Sequence, residues 1–427
     1  MVRNVKISNI VKINEKNLTK KDNWKYINYL DTSSITEGII ENIQKIDLSQ
    51  EKAPSRAKRK VEKDDIIIST VRPNLKHYGI IKAPYDNMIV STGFTVLTPI
   101  KEKVNPDYLY NFFRLEEVTN FLSAIAETST TTYPSITSKV IEDLEISLPA
   151  LEKQNKIASI LSSLDEKIEL NRKINQNLEE IAQTLFKRWF IDFEFLNEEG
   201  NPYKSSGGKM IESELGEIPE GWRVGSIKEI GNVVTGKTPN TKIKKYYNGI
   251  IPFITIPDIH NKIYITKTER TLSELGNNCQ KEKILPQNTI VVSCIATVGL
   301  VGITTRPSQT NQQINAIILN NEETLFYFFN YLKRIKTKLI LIGSSGTATL
   351  NINKSIFEKI EIIIPKLEIM INFNKKLKNI YLKIKLLQEE TEKLIEVRDY
   401  LLPKLMNGEI DVSNLKIFEI LNSDKSK

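Results

Sequence analysis

The chain has 427 residues, 40% hydrophobic and 26% charged, with a net charge of +8, two cysteines and two histidines. That length suits two cores rather than one, and the composition is that of a folded protein, not a disordered one. Cys279 and Cys294, even with His77 and His260, exclude a disulfide framework and make a zinc site a poor reading; no apolar run reaches the roughly 18–20 residues of a membrane span.

The positive balance points toward a polyanion, nucleic acid first, although lysine enrichment in an AT-rich genome gives the same sign. The opening MVRNVKISNIVKINEKN lacks the apolar core of a signal peptide, so a cytoplasmic location is expected. Residues 1–148 read as a first domain. Arg56, Lys58, Arg59 and Lys60 form a basic cluster of the kind that neutralises DNA phosphates. Asp65–Val71 (DIIISTV) follows as a strand, rich in β-branched residues. Arg72, Asn74, Lys76 and His77 come next, in a loop of base-reading chemistry. Met88–Leu97 reads as another strand, Asn105–Phe121 as a helix capped by Asn105 or Asp107, and Ser129–Thr132 with Pro134 as a polar loop.

Within that helix start, Asn105–Tyr108 (NPDY) is one residue from the NPPY-type loop with which amino-methyltransferases hold a flipped adenine. Asp107 stands where the second proline belongs, and no Gly-rich cofactor strand precedes it. A plain helix N-terminus is the stronger reading.

Residues 149–195 form a helical spacer. Ile157, Leu161, Leu164, Ile168, Leu178, Leu185 and Trp189 keep the 3/4 spacing of a coiled-coil seam, with no Gly or Pro between 152 and 193. Residues 196–215 are polar and rich in Gly, Ser and Pro, the chemistry of a linker.

The second domain, 216–365, contains Gly231–Thr238 (GNVVTGKT), a formal match to the Walker A pattern. A phosphate loop needs a helix directly after it, whose first amides hold the phosphates. Here Pro239 and then TKIKKYYNG follow, without an apolar helical period. Lys237, Lys242, Lys244 and Lys245 therefore read as a basic loop near DNA phosphates. Leu285–Cys294 takes the place of Val61–Thr70, and Thr310–Leu319 that of Ser91–Thr98. Asn311, Gln312 and Gln313 offer carboxamides that pair bidentately with adenine edges. Glu323–Ile342 reads as helical and Gly343–Thr349 as the counterpart of the first polar loop.

The distal spacer, 366–410, repeats the first. EDLEISLPAL at Glu142–Leu151 recurs as EKIEIIIPKL at Glu358–Leu367, 216 residues later. The seam recurs as Phe373, Leu377, Ile380, Ile384, Leu394, Leu401 and Leu405; a tail of 411–427 closes the chain. Asn171, Asn175, Thr391 and Arg398 interrupt the two seams, either as register-setting polar positions or facing a solvated groove. A helix of roughly 40 residues is about 60 Å long, whereas a linker of about 16 residues stretches to only about 53 Å. Parallel packing would need a full-length return, so the pair is expected to run antiparallel. The expected fold is α+β: two α/β target-recognition domains at opposite ends of a pair of long antiparallel coiled-coil helices, as a pseudo-two-fold internal repeat.

The segments PALEKQNKIASILSSLDEKIELNRKINQNLEEIAQTLFKRWFIDFEF (149–195), NEEGNPYKSSGGKMIESELGEIPEGWRV (197–224) and YLLPKLMNGEI (400–410) resemble specificity subunits of type I restriction–modification systems. TGKTP (235–239) recurs in such subunits without nucleotide binding; the distal copy, KLEIMINFN, lacks the Glu-Gln pairing usual after the proline. The resemblance implies a non-catalytic subunit that reads a bipartite site in double-stranded DNA, one half-site per domain. The helices would act as spacer and as docking surface for two methyltransferase subunits, and restriction or motor subunits would join where the system has them. S-adenosylmethionine, and ATP with Mg where a motor is present, would sit on those partners and none on this chain. A related reading is the specificity subunit of a stand-alone bipartite methyltransferase without a motor endonuclease. Enzymatic readings through Lys237 and Thr238 or Asn105–Tyr108, and a purely structural coiled coil, are the other classes.

Overall fold

The computed structural model describes residues 3–19, 21–128, 134–344 and 350–413. The polar loop placed at Ser129–Thr132, most of Gly343–Thr349 and most of the tail lie outside them. The chain divides into two compact units, Met1–Lys167 with Leu394–Lys427, and Ile168–Lys393. No helix among the described residues is long and apolar enough to cross a membrane.

In the first unit, β1 (Arg3–Lys6), β2 (Val11–Ile13), β3 (Tyr26–Leu30), β4 (Gln44–Asp47), β5 (Ala57–Lys60), β6 (Ile66–Ser69), β7 (Tyr78–Ile80), β8 (Met88–Ser91) and β9 (Phe94–Pro99) precede the helices. The run IIIS is buried at all four positions, which is why it reads as continuously apolar rather than alternating. It pairs with β9 and β7 in a sheet of order β2-β9-β6-β7, antiparallel throughout. A second sheet has order β4-β3-β8-β5, with β8 parallel to β3. The single helix expected over Asn105–Phe121 is two, α1 (Pro106–Phe113) and α2 (Glu116–Glu127). They part because Leu115 is buried with extended backbone, φ −61 and ψ 131. After α3 (Ser138–Glu142), β10 (Glu145–Leu148) returns to β1, pairing Arg3 with Leu148. The helix α4 (Leu151–Phe190) starts three residues later.

In the second unit, β11 (Met210–Ile211) pairs with β12 (Ile218–Pro219). The segment expected to be linker is folded, because Phe195 stacks on Tyr203 at 4.7 Å and on Trp222 at 5.2 Å. β13 (Arg223–Ser226), α5 (Ile227–Ile230), β14 (Gly231–Thr235), β15 (Tyr247–Ile254), α6 (Ile256–Ile259), β16 (Tyr264–Ile265), β17 (Arg270–Leu272) and α7 (Glu274–Asn278) follow. Next come β18 (Ile290–Ser293), β19 (Val301–Thr304), β20 (Gln309–Thr310), β21 (Ile314–Leu319), α8 (Leu325–Arg334), α9 (Lys336–Gly343), α10 (Lys354–Glu358), β22 (Glu361–Ile364) and α11 (Leu367–Met406). The main sheet is β14-β21-β18-β19-β16, and β20 lies parallel to β15 in a three-stranded sheet. β13 pairs with β22 as β1 pairs with β10.

The repeat extends to single hydrogen bonds. Ile7 N–H donates to Leu144 O at 2.9 Å, and Ile227 N–H to Ile360 O at 3.1 Å. The Tyr108 hydroxyl donates to Ser147 O at 2.9 Å, and that of Tyr327 to Ile363 O at 2.7 Å. Both donors recur, isoleucine with isoleucine and tyrosine with tyrosine, while the acceptors change from Leu144 to Ile360 and from Ser147 to Ile363 without loss of the bond, because each accepts through its backbone carbonyl.

Each unit contains one stretch of the helix pair. In the first, Ile157, Ala158 and Leu161 share a core with Leu402, Leu405 and Met406. In the second, Phe373 packs edge-on against Phe190 at 4.8 Å and lies 5.7 Å from Trp189. The start of one helix thus meets the end of the other, and the pair is antiparallel. Leu161, Ile168, Leu377 and Ile384 are fully buried, while Leu164, Leu178, Leu185, Ile380, Leu394 and Leu401 are half-buried. Asn171 is 0% exposed and donates to Glu390 Oε2 at 2.8 Å, which makes it a paired seam position rather than one facing a groove.

Candidate nucleic-acid interface

In the first unit four loops meet at one end of the strands, an edge where the β8–β9 turn joins the two sheets. Thr70 N–H donates to Gly93 O at 2.8 Å, Thr92 N–H to Arg56 O at 2.8 Å, and Arg72 N–H to Pro134 O at 2.9 Å. This places Arg56 beside the β8–β9 turn, and that turn beside the loop leaving β6. Arg56, Lys58, Arg72 and Asn74 are exposed. Arg72 and Lys76 bracket the Pro73–Leu75 turn with φ of 47° and 55°, left-handed values that non-glycine residues rarely adopt.

Four residues of the sequence-derived set do other work. Arg59 and Lys60 lie on β5, where pairing with β8 turns them out of solvent. Arg59 Nη1 donates to Asn14 Oδ1 at 2.5 Å and to the Phe94 carbonyl, and burial lowers its pKa. Lys60 pairs with Asp22 at 2.5 Å and lies over the Trp24 ring. Lys76 is bound to Glu116 at 2.9 Å and Glu37 at 3.4 Å, and the Glu116 hydrogen bond raises its pKa. His77 Nδ1 lies 2.6 Å from Ile35 O. These four brace the loops instead of presenting charge to a ligand.

The second unit builds the same edge from different side chains. Cys294 N–H donates to Gln313 O at 2.8 Å, and Ala296 N–H to Leu350 O at 2.9 Å, as Thr70 and Arg72 do in the first. Ala296, too, is left-handed, with φ 62°. Lys237 N–H donates to Thr310 O at 3.0 Å, and the Thr238 hydroxyl to Gln312 Oε1 at 2.7 Å. Lys237 and Gln312 are exposed together, whereas Asn311 is buried and bonded to Gln313. The Asn311 and Gln313 carboxamides thus shape the turn, and Gln312 is the one that faces outward.

Beneath this loop Gln280 Nε2 donates to Lys237 O at 2.7 Å and to Gln309 Oε1 at 2.6 Å. Lys281, which is exposed, and Lys283 follow Gln280 within three residues, on either side of Glu282. Sequence reading missed them because 43 residues separate Gln280 from Lys237. Lys242, Lys244 and Lys245 are exposed as well, and none of these lysines makes an ion pair among the described residues.

The two formal enzyme motifs have structural roles. Gly236 is pressed against the neighbouring turn, where a Cβ would lie 2.2 Å from Asn311 O. The next helical turn is the short Lys244–Tyr246 segment, so no helix N-terminus faces a phosphate at Lys237. Asn105 Oδ1 caps α1, accepting from Asp107 N at 2.9 Å and Tyr108 N at 3.0 Å, while Tyr108 is buried.

The family profile described as type I restriction modification DNA specificity domain matches residues 2–180 and 219–396. The chain is 38% identical to the type I restriction enzyme HindI specificity subunit of Haemophilus influenzae, over 84% of this chain and 89% of that one. It is 30% identical to the MjaIX specificity subunit of Methanocaldococcus jannaschii, over 86% and 82% of the two chains. Among solved structures, the type I restriction–modification S subunit from M. genitalium shares the fold at a TM-score of 0.56 and 15% identity, covering 95% of this chain and 96% of that one.

Proposed function

The chain belongs to the type I restriction–modification DNA specificity family, and on that premise we propose that it reads a bipartite DNA site, one half-site per domain. One observation supports this above others. The same backbone bonds, Thr70–Gly93 and Cys294–Gln313, deliver unlike side chains to equivalent edges. The first edge offers Arg56, Arg72 and Asn74; the second offers Lys237, Thr238 and Gln312. A constant frame with exchanged reading groups suits two unrelated half-sites. Arg56 and the lysines supply affinity without sequence information, and the carboxamides and Arg72 supply base readout.

The chain would add no chemistry of its own. In this reading two methyltransferase subunits dock on the helix pair and carry S-adenosylmethionine. Restriction subunits, where the system has them, carry ATP and Mg, and the assembly works in the cytoplasm. About 60 Å of helix is of the right order to set a spacer, since one turn of duplex is about 34 Å. The test is genome-wide mapping of methylated adenines with the native chain and with residues 1–148 exchanged for another domain. One half of the motif is expected to change while the other stays; a change in both halves refutes the modular assignment.

A further inference from the structure

Strand β15 is interrupted in an unusual way. Both Tyr247 and Ile251 pair with Leu272, so Asn248, Gly249 and Ile250 bulge out opposite a single residue. Asn248 is left-handed, with φ 62°. Gly249 lies so close to β17 that a Cβ there would stand 2.5 Å from Leu272 O. Bulges of this kind re-aim a side chain, and the one re-aimed here is Ile250, 78% exposed. Later in the same strand Phe253 and Ile254 are 1% and 0% exposed.

The neighbouring helix α7 adds a second apolar group. The Ser273 hydroxyl donates to Lys245 O at 2.7 Å, and a Cβ on Gly276 would stand 2.0 Å from Tyr246 O, so α7 is seated directly on the lysine turn. Leu275 of that helix is 58% exposed. Lone exposed aliphatics are ordinary on protein surfaces. Two of them on elements locked together, one held out by a bulge that begins three residues after Lys245 and one on a helix seated on that lysine's turn, are not.

We propose that Ile250 and Leu275 form an apolar tip that enters a groove of the duplex at the half-site of the second domain and wedges against its base steps, with Lys244 and Lys245 on the flanking phosphates. The proposal rests on the DNA-reading role of that domain. Side chains such as Ile and Leu are the ones that partially unstack base steps when phosphate contacts hold them in a groove. Charge complementarity selects the partner, because the lysines beside the tip lack acidic partners among the described residues.

The experiment uses the full chain and a duplex carrying the motif found by adenine-methylation mapping, with 2-aminopurine at successive positions of the second half-site. Wild type is expected to bind with a rise in 2-aminopurine fluorescence at one step. Ile250→Ala with Leu275→Ala is expected to weaken binding about tenfold, to abolish that rise and to leave the salt slope unchanged. Lys244→Ala with Lys245→Ala is expected to flatten the salt slope by about 2. All variants alter exposed side chains, and an unchanged melting curve confirms their fold. Wild-type affinity and fluorescence in the apolar variant overturn the wedge, as does a wild-type preference for anionic phosphatidylserine vesicles over the duplex. Failure of wild type to bind any duplex overturns the DNA-reading role beneath it.

Discussion

Replacing Asp165 by alanine is expected to loosen the first domain from both long helices at once. Asp165 on α4 accepts two hydrogen bonds from Arg114, at 2.6 and 3.1 Å, and one from Arg398 of α11 at 3.2 Å. The Arg114 side chain is 6% exposed, so loss of the carboxylate strands a charge that cannot reach water. Breaking one side of a buried pair costs about 3–5 kcal/mol. Asp165 itself is 34% exposed, and solvent screening brings the expected loss to about 2–4 kcal/mol. For a unit of this size that lowers the melting midpoint by roughly 5–10 °C. Scanning calorimetry of the full chain, read with hydrogen exchange along α1, measures it. The double change Arg114→Met with Asp165→Leu removes both charges and is expected to recover most of the loss. A midpoint within 1 °C of wild type for Asp165→Ala, or a double variant no better than the single, would refute the clamp.

Arg56 and Arg59 are expected to separate cleanly. Arg56→Ala reduces the salt slope of DNA binding by about 1 without changing the melting midpoint, whereas Arg59→Ala costs about 1–3 kcal/mol of stability and leaves the slope alone. Equal effects of the two on either measurement would contradict their placement. Asp22 is held down to about 2, first by the Lys60 hydrogen bond and then by the Thr19 amide. Its folded pKa lies below the unfolded value of about 3.9. The stabilisation is therefore complete above that value and lost as pH falls toward 2. Asp22→Asn should remove that part of the acid dependence, as followed by urea midpoints from pH 6 to pH 2. Gly236→Ala drives a methyl into Asn311 O and is expected to cost about 1–3 kcal/mol, with weakened reading of the second half-site alone. Lys237→Ala should weaken duplex binding with a salt slope reduced by about 1, and neither it nor wild type should hydrolyse ATP.

The parts of the fold legible in the sequence were those with a period. The seam from Ile157 to Trp189 and its recurrence 216 residues on announced two helices, and the linker length forced them antiparallel. The strands around Ile66 and Ile290 stood out as unbroken β-branched runs. Side-chain direction within the basic clusters was not legible. Lys58 faces water while its neighbours Arg59 and Lys60 turn to Asn14 and Asp22, partners 45 and 38 residues away. Nor does composition tell a Gly/Ser-rich segment that hangs free from one pinned by a stack such as Phe195 on Tyr203 and Trp222. Lys281 joined the candidate site only through the Gln280 amide.

The pairing of β1 with β10, and of β13 with β22, has a consequence for exchange between genes. In each domain a strand near the start lies against the last one, Arg3 beside Leu148 and Arg223 beside Ile364, so chain entry and exit are neighbours. Such a domain is a cassette whose two cut points are side by side. Recombination at the flanking helix-coding segments would replace a whole reading head without altering either helix. New specificities could then arise by transplantation, two junctions at a time, faster than point mutation of any reading loop would allow.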